Sequence, residues 1–492
     1  MRFFSRLLGW RKAPPPRAQG FEAAHATRRL ATWRAGADNI NAAIRAGGEV
    51  LRARARDLVR NNPYASNAAA SFAAHAVGCG IKPSSLVEDI ELKDRIQRLW
   101  LAWTNEADVD GVTDFYGLQA LAARALFEAG ECFFRLRSRR PDEGLEVPLQ
   151  LQLIAAEQLP LSKCETLPSG NEIVFGIEFD RLGRRVAYHF LKTHPGDVRQ
   201  RGQGETIRVP ASEVIHVFNP LAEGQIRGVP MVAPAMAKLW LLEQYDDAEL
   251  DRKKVAAMFA GFITKPAPED VMGESQAVRD EDEAALIGLQ PGSMQLLLPG
   301  EDIKFSDPAD VGGSYEAFQY RTLLACCAAM GVPYTNVTGD LRQANYSSLR
   351  EGKLEFRRRI DQLQHNVLIF QLCRPVWKRW LETAVLAGAL DIADFAANRA
   401  TYLPAKWIPP KWDWVDPLKD RKAEIEAINA GLKSRSDVIE AEGYDAEEVD
   451  RRIAADEARA EKLGLSFGEK STSKENVEAE EADGHPVDER VA

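Results

Sequence analysis

Cys132-Phe133-Phe134-Arg135-Leu136-Arg137, Leu149-Gln150-Leu151-Gln152-Leu153, Ile173-Val174-Phe175-Gly176-Ile177-Glu178-Phe179 and Val186-Ala187-Tyr188-His189-Phe190 are short runs in which apolar and polar residues tend to alternate. A period of two sends successive side chains to opposite faces, so the stretch from Glu131 to about Phe218 reads as strands. Asp180-Arg181-Leu182-Gly183 supplies a turn between two of them. Just upstream, residues 114 to 130 place Leu118, Leu121, Ala122, Ala125 and Leu126 on one helical face, and Gly130 ends that helix. An earlier helical region runs from about Asp38 to Ala76, followed by Gly78-Cys79-Gly80, a bare GxG that reads as a turn because no strand pattern precedes it. Helices followed by a sheet in one unit give an α+β fold.

The chain has 492 residues, room for about three domains and a sizeable core. Its 45% hydrophobic and 28% charged residues are ordinary for a globular protein, which excludes wholesale disorder or a fibrous repeat. No run of eighteen apolar residues occurs, and Met1 to Trp10 is too short and too charged for a secretory core, so no membrane partner is expected and the chain should stay in the cytoplasm. Pro14-Pro15-Pro16 breaks the amphipathic helix that an organellar transit peptide would need. The six cysteines include no CxxC pair and read as reduced, mostly buried small side chains. His189, His194 and His216 lie close together in the strand-rich stretch, but none pairs at i,i+4, so they read as hydrogen-bonded strand histidines and no metal is expected.

Charge is segregated along the chain. Residues 1 to 60 hold thirteen Lys/Arg against four Asp/Glu, and residues 418 to 492 hold twelve against twenty-one, leaving an acidic middle in a chain of net −10. Every neutralised phosphate requires a cation, so an acidic body argues against tight, distributed contact with nucleic acid. Any DNA it meets should slide. Arg52, Arg54, Arg56 and Arg60 are spread around their helix and read as a solvated surface.

Beyond the strands, a long helix is expected from Met231 to about Phe262. Glu249 and Lys253 make a favourable i,i+4 pair, whereas Glu243, Asp247 and Asp251 stack like charges on one face and need accommodation from outside the helix. Residues 263 to 312 are broken by prolines and glycines around the short run Met294 to Leu298, which marks a small inserted module. Helix signals return at Ser314, a candidate N-cap, and run through Phe318, Thr322, Ala325 and Ala329 to Gly331 and Pro333. A polar loop from Tyr334 to Tyr346 leads to a capping box at Ser348 and Glu351. The helix after it carries an apolar stripe at Leu349, Phe356, Ile360, Leu363, Val367 and Phe370, with Arg350, Lys353 and Arg357 on a different face, and Pro375 should kink it. Two further helices are expected, Pro417 to Ala430 and about Ala446 to Leu463, the second opened by a capping box at Asp445 and Glu448.

Several stretches resemble, in the same order, the lambda family of phage portal proteins: Arg54 to Pro63, Gly176 to Asp180, Gly224-Gln225-Ile226-Arg227-Gly228-Val229-Pro230, Gly331-Val332-Pro333-Tyr334, Thr338-Gly339-Asp340, Asn345 to Arg350 and Asp416 to Asp420. That resemblance implies a portal fold: a flexible basic leader (1–37), a wing (38–235), a first stem helix (236–262), an α/β clip (263–312), a second stem helix (313–332) and a tunnel loop (333–347). The kinked helix and the rest of the wing (348–415), a helical crown (416–465) and a disordered acidic tail (466–492) complete it. It further implies a head-to-tail homo-oligomeric ring of twelve copies at one capsid vertex of the virion, built in the host cytoplasm, through which double-stranded DNA is packaged and ejected. The terminase large subunit, which hydrolyses ATP elsewhere, and head-completion or adaptor proteins would be the partners, and no cofactor is implied. Arg342, Gln343 and Asn345 in the loop, with Arg350, Lys353 and Arg357 behind it, are the expected DNA contacts; Glu243, Asp247, Asp251 and Lys253 are expected on the channel or between subunits.

No phosphate loop, GxSxG elbow or HExxH motif occurs, so the common routes to ATP hydrolysis, acyl transfer and zinc chemistry are missing. Two other readings compete with the portal. The carboxylates at 243, 247 and 251 could hold Mg²⁺ in a nuclease, although Arg252, Lys253 and Lys254 beside them look like a solvated or interface face. The chain could also be a structural head protein without a channel.

Overall fold

The structure is a computed structural model that describes residues 36–198, 204–257, 315–342, 345–412 and 417–465, residues 28 and 32, and four short strands between residues 261 and 305. The leader to residue 27, the tail from 466, Met294 to Leu298, Ser314 and Gln343 lie outside the described residues, as does the Ser348 side chain.

Two helices, α1 (Ile40–Asn61) and α2 (Pro63–Val77), replace the single helical region expected from Asp38 to Ala76. The break lies at Asn62-Pro63. Pro63 has no N–H to continue the ladder, and the Asn62 side chain accepts from the Tyr64 and Ala65 amides to start α2 afresh. After strand β1 (Lys82–Ser85) come α3 (Ile90–Thr104) and α4 (Phe115–Glu128). Leu118, Ala122 and Leu126 of α4 are buried as its pattern predicts, while Leu121 turns outward.

The expected strands follow. β2 (Glu131–Ser138), β3 (Leu149–Ala155) and β9 (Val214–Phe218) form an antiparallel sheet with β2 in the centre. β4 (Glu165–Thr166), β5 (Glu172–Val174), β6 (Ile177–Phe179), β7 (Arg185–Leu191) and β8 (Thr206–Pro210) form a five-stranded meander. The run 173–179 is therefore a hairpin and not one strand. Phe175 (φ 54°) and Gly176 (φ 80°) both adopt left-handed backbone, the geometry of a two-residue turn that matches strand twist. Phe133, Ile154, Tyr188, Phe190 and Val209 pack the two sheets together.

The main core joins helices that are far apart in sequence. Trp100 and Trp103 of α3, Phe115 of α4, and Trp377 and Trp380 of α9 (Arg374–Leu386) are at most 2% exposed, and Trp100 lies 5.0–5.3 Å, centroid to centroid, from the other four. Each such ring buries enough surface to contribute a few kcal/mol.

Helix α5 (Ala233–Ala257) leads to strands β10 (Gly261–Thr264), β11 (Val278–Arg279), β12 (Ala285–Leu286) and β13 (Asp302–Phe305), with β10 paired to β13 and β11 to β12. Helix α6 (Tyr315–Met330) then returns along α5: Tyr315 Oη donates to Asp246 Oδ1 at 2.8 Å, and Tyr245 packs on Tyr315 and Phe318. Leu323, Cys326, Cys327 and Met330 form its buried face, while Phe318 and Ala329 are exposed.

Helix α8 (Tyr346–Leu363) runs into a π-helical stretch, Gln364–Cys373, before α9. Here the Arg374 amide donates five residues back, to Ile369. That wider register precedes Pro375 and rotates the stripe. Phe356, Ile360, Leu363 and Val367 are buried as expected, but Phe370 is 60% exposed, and Leu368, Ile369, Leu372 and Cys373 take the core side. The rest comprises α10 (Arg399–Tyr402), β14 (Ala405–Ile408) against β1, α11 (Pro417–Asn429), α12 (Arg435–Ala441) and α13 (Ala446–Leu463). Helix α12 lies between the two expected helices; Ser434 caps it and Asp437 reaches back. Asp445 accepts from the Glu447 and Glu448 amides, one half of the expected box. No helix among the described residues is long and apolar enough to cross a membrane.

Candidate functional site

The segment after α6 is built by two glycines and one turn of helix. Gly331 (φ 70°) ends α6, Pro333 opens α7 (Tyr334–Thr338), and Gly339 (φ 71°) closes it. The front of the expected loop is thus helical and pinned. The Asn67 side chain on α2 donates to the Asn336 and Val337 carbonyls at 2.9 and 2.8 Å, and Val337 is buried. Such side-chain donors satisfy carbonyls that a five-residue helix leaves open.

Arg342 follows in an exposed turn. Its Nε and Nη2 donate to the two oxygens of Asp340 at 3.0 and 2.9 Å, and its Nη1 lies 3.1 Å from Glu316 Oε1 at the start of α6. The Arg342 backbone N–H also donates to Asp340 Oδ1 at 3.0 Å. The Arg342 hydrogen bonds hold the Asp340 carboxyl down at about 2, and the Asp340 bond, with Glu316 behind it, holds the guanidinium above its usual range. All three nitrogens of the fork are occupied from within the chain.

The cations on α8 part company. Arg350 lies 3.8 Å from Asp420 of α11, Lys353 is exposed, and Arg357 sits half-buried with its guanidinium 5.3 Å from the centre of the Trp412 ring. Asn345 is exposed at the foot of the helix. A largely apolar cavity of about 490 Å³ lies under the turn, between Tyr320, Leu324, Tyr334, Leu349, Lys353 and Phe356.

The acids of α5 do not converge either. Glu243 accepts from Asn62 at 3.4 Å, Asp247 is exposed, and Asp251 pairs with Lys254 at 3.0 Å. Lys253 reaches Glu249 at 3.7 Å and lies 5.3 Å from the Tyr315 ring. The better-placed acids are Glu249, held by Arg252 at 2.6 Å, and Asp246, which takes Tyr315 and Gln319. Burial, with the Asp246 bond behind it, raises the Tyr315 hydroxyl to about 12. Among the described residues no group of His, Cys, Asp or Glu is arranged to hold a metal ion.

One charged centre escaped the sequence reading. Glu131, fully buried at the start of β2, accepts from Arg52 Nη2 at 2.8 Å, from Arg227 Nε at 2.8 Å, from His216 Nε2 at 2.9 Å and from the Gly228 amide at 2.8 Å. Arg227 also donates to the Phe175 and Ala156 carbonyls, which fixes the left-handed Phe175. Arg52 donates to Ala129 and Ala156, and Arg56 pairs with Glu128 and Glu157. Both arginines are therefore structural, because α1 packs against the sheet end; the solvated reading fails at 52 and 56 and holds at the exposed Arg54 and Arg60. Glycine is required at 228, where a Cβ would stand 2.1 Å from the Gly130 oxygen. Burial lowers His216 to about 4 against the upward pull of Glu131, and the two arginines with the His216 bond hold Glu131 far below the carboxylate range in spite of its burial. His216 is then neutral, donating from Nε2, with Nδ1 free to accept from Arg185 at 3.3 Å. His189 bonds Glu178 at 3.1 Å, and His194 accepts from the Gly196 amide, so these histidines are hydrogen-bonded as expected.

Residues 26–364 match the model of the family described as phage portal protein, lambda family. The chain is 28% identical over 483 residues to a probable portal protein of Halomonas phage phiHAP-1, covering 94% of this chain and 92% of the relative. It is 23% identical over 467 residues to portal protein B of Escherichia phage lambda, covering 85% of each. A solved structure of the neck of a native GTA particle, computed with C12 symmetry, covers 80% of this chain and 92% of its own at 15% identity and a TM-score of 0.46. With more than half its length matched by the one model, the chain belongs to the lambda family of phage portal proteins.

Proposed function

We propose that this portal chain, a structural head–tail connector by family, works as one subunit of a closed ring whose channel passes double-stranded DNA at a capsid vertex. Twelve copies, packaging by a terminase large subunit and sealing by head-completion or adaptor proteins follow the family pattern. The segments 38–235 and 348–415 serve as wing, 236–262 and 313–332 as stem, 263–312 as clip, 333–347 as tunnel loop and 416–465 as crown. The observation that carries the ring is the α5–α6 hairpin, which leaves Trp240 (52%), Leu241 (64%), Leu250 (53%) and Phe318 (52%) exposed. Leu241 and Leu250 stand on opposite sides of α5, so the hairpin offers apolar side chains in two directions, as a head-to-tail contact repeated around a closed ring requires.

In that ring Arg342 stands at the tip of the tunnel loop, and Asn345, Arg350 and Lys353 form a tier behind it. None is placed to read base edges, so contacts with DNA are sequence-independent and weaken with salt. Against the nuclease alternative, Glu243 and Asp251 are each engaged by a different neighbour. Two variants test the proposal. Trp240→Asp should keep the subunit folded by circular dichroism yet abolish rings in sedimentation; undiminished ring assembly would overturn the interface. Arg342→Ala should keep ring assembly and reduce filled heads per ring-containing particle; wild-type filling and retention would remove Arg342 from the DNA path.

A further inference from the structure

The three nitrogens of the Arg342 guanidinium are all taken up by Asp340 and Glu316. Asp340 is in the same turn, but Glu316 belongs to α6, so the ion pair between 342 and 316 ties the turn to the neighbouring helix. The trio sums to one negative charge and faces water: the Arg342 and Glu316 side chains are 73% and 71% exposed. A cation in this state meets a phosphate only by leaving a carboxylate, and a net-negative cluster repels a passing strand. Exposed pairs are weak and salt-screened, so the exchange of a carboxylate for a phosphate is an easy one.

We propose that Glu316 and Asp340 form an intrachain clamp on Arg342, with Glu316 as the positioning residue that decides whether the turn engages a DNA phosphate or lets DNA slide past. This rests on the reading of Arg342 as a channel residue. With the clamp closed, the wall shows DNA a negative surface and offers little grip. With Arg342 swung off Glu316, its Nη1 becomes available to a phosphate while Asp340 keeps Nε and Nη2, and the turn is released from α6. Glu316 touches no DNA in either state; it acts through Arg342.

The test uses the full chain in its assembled form, with three variants: Glu316→Gln, Arg342→Ala and the two combined. Glu316→Gln keeps the shape of the side chain and removes its charge. Hydrogen exchange of the amides at 339–342, measured without DNA, should speed up in Glu316→Gln; unchanged exchange would overturn the clamp. Binding of a random-sequence duplex, followed across NaCl concentration, should tighten in Glu316→Gln by about two- to fivefold, the range set by an exposed ion pair. Its salt dependence should steepen, by roughly 0.9 in the log–log slope for each additional phosphate neutralised. Both effects should vanish in the double variant. Tighter binding that survives there would show that Glu316 acts by bulk charge and would overturn its role as a positioning residue. Faster exchange together with duplex binding that Arg342→Ala leaves at the wild-type level would keep the clamp and reject Arg342 as a DNA contact, so the two claims fail separately.

Discussion

Arg52, Arg227 and Glu131 on one side, and Arg342, Asp340 and Glu316 on the other, are the same chemistry in two solvents. Both gather guanidinium and carboxylate groups within 2.6 to 3.1 Å. Glu131 is fully buried and accepts from donors on both oxygens, and four segments distant in sequence meet there: α1, β2, β9 and the turn at Gly224 to Pro230. Around Arg342 the side chains are bathed in solvent. In the first setting, removing one partner strands a buried charge, so the cluster fixes the fold; in the second it merely exchanges a pair for water, so the cluster can switch. Burial, more than residue type, separates a joint from a latch.

The largest effect should come from Glu131→Gln, which leaves two arginines in a dry site without their counter-charge and should cost about 3–5 kcal/mol in denaturant unfolding. A loss below about 1 kcal/mol would mean that water reaches the site and that the contrast between the clusters is false.

Acid should expose the same difference. His216 has its folded value lowered to about 4, whereas an unfolded histidine titrates near 6.5. Between those limits the unfolded chain binds more protons than the folded one, so stability falls as pH drops from about 6.5 to 4, by roughly 1–3 kcal/mol. Glu131, whose folded value is depressed, adds a further loss below its unfolded value of about 4.5. Unfolding free energy measured against pH in His216→Gln should lose the upper window and keep the lower. An unaltered profile would mean that His216 is not the titrating group.

Gly228→Ala comes next. Its Cβ would press on the Gly130 backbone, 2.1 Å from the oxygen, and on the Glu131 Cβ at 2.7 Å, and overpacking of this kind costs about 1–3 kcal/mol. Chemical denaturation that shows no loss would imply that the Gly224 to Pro230 turn shifts freely and is not held by Arg227. Glu316→Gln should sit at the bottom of the scale, with unfolding free energy within about 0.5 kcal/mol of wild type; a larger drop would make the clamp a structural joint after all.

These clusters also mark how far the residues alone could be read. Strand and helix periods located β2, β3, β7, α4 and α8, because each buries apolar side chains against a neighbour. The Arg227 turn was visible as a pattern, yet its purpose was not: its partner Glu131 lies 96 residues away and is brought there only by sheet closure. Phe370 was misplaced for a local reason, since a periodicity of 3.6 cannot anticipate the π-helical register before Pro375. Arg342 was legible as a cation in a polar turn, but its engagement by Glu316 depends on α6 passing within reach, a tertiary fact without a sequence period.

The central claim is that this subunit closes a ring with Arg342 on its inner wall. Single-particle imaging of the purified assembly, carried to side-chain detail, tests it most directly. The account predicts a closed ring with a central channel, neighbouring α5–α6 hairpins in contact through Trp240 and Leu250, and Arg342 facing the channel with Glu316 of its own subunit beside it. Particles without a closed channel, or a ring with Arg342 on its outer surface, would contradict it.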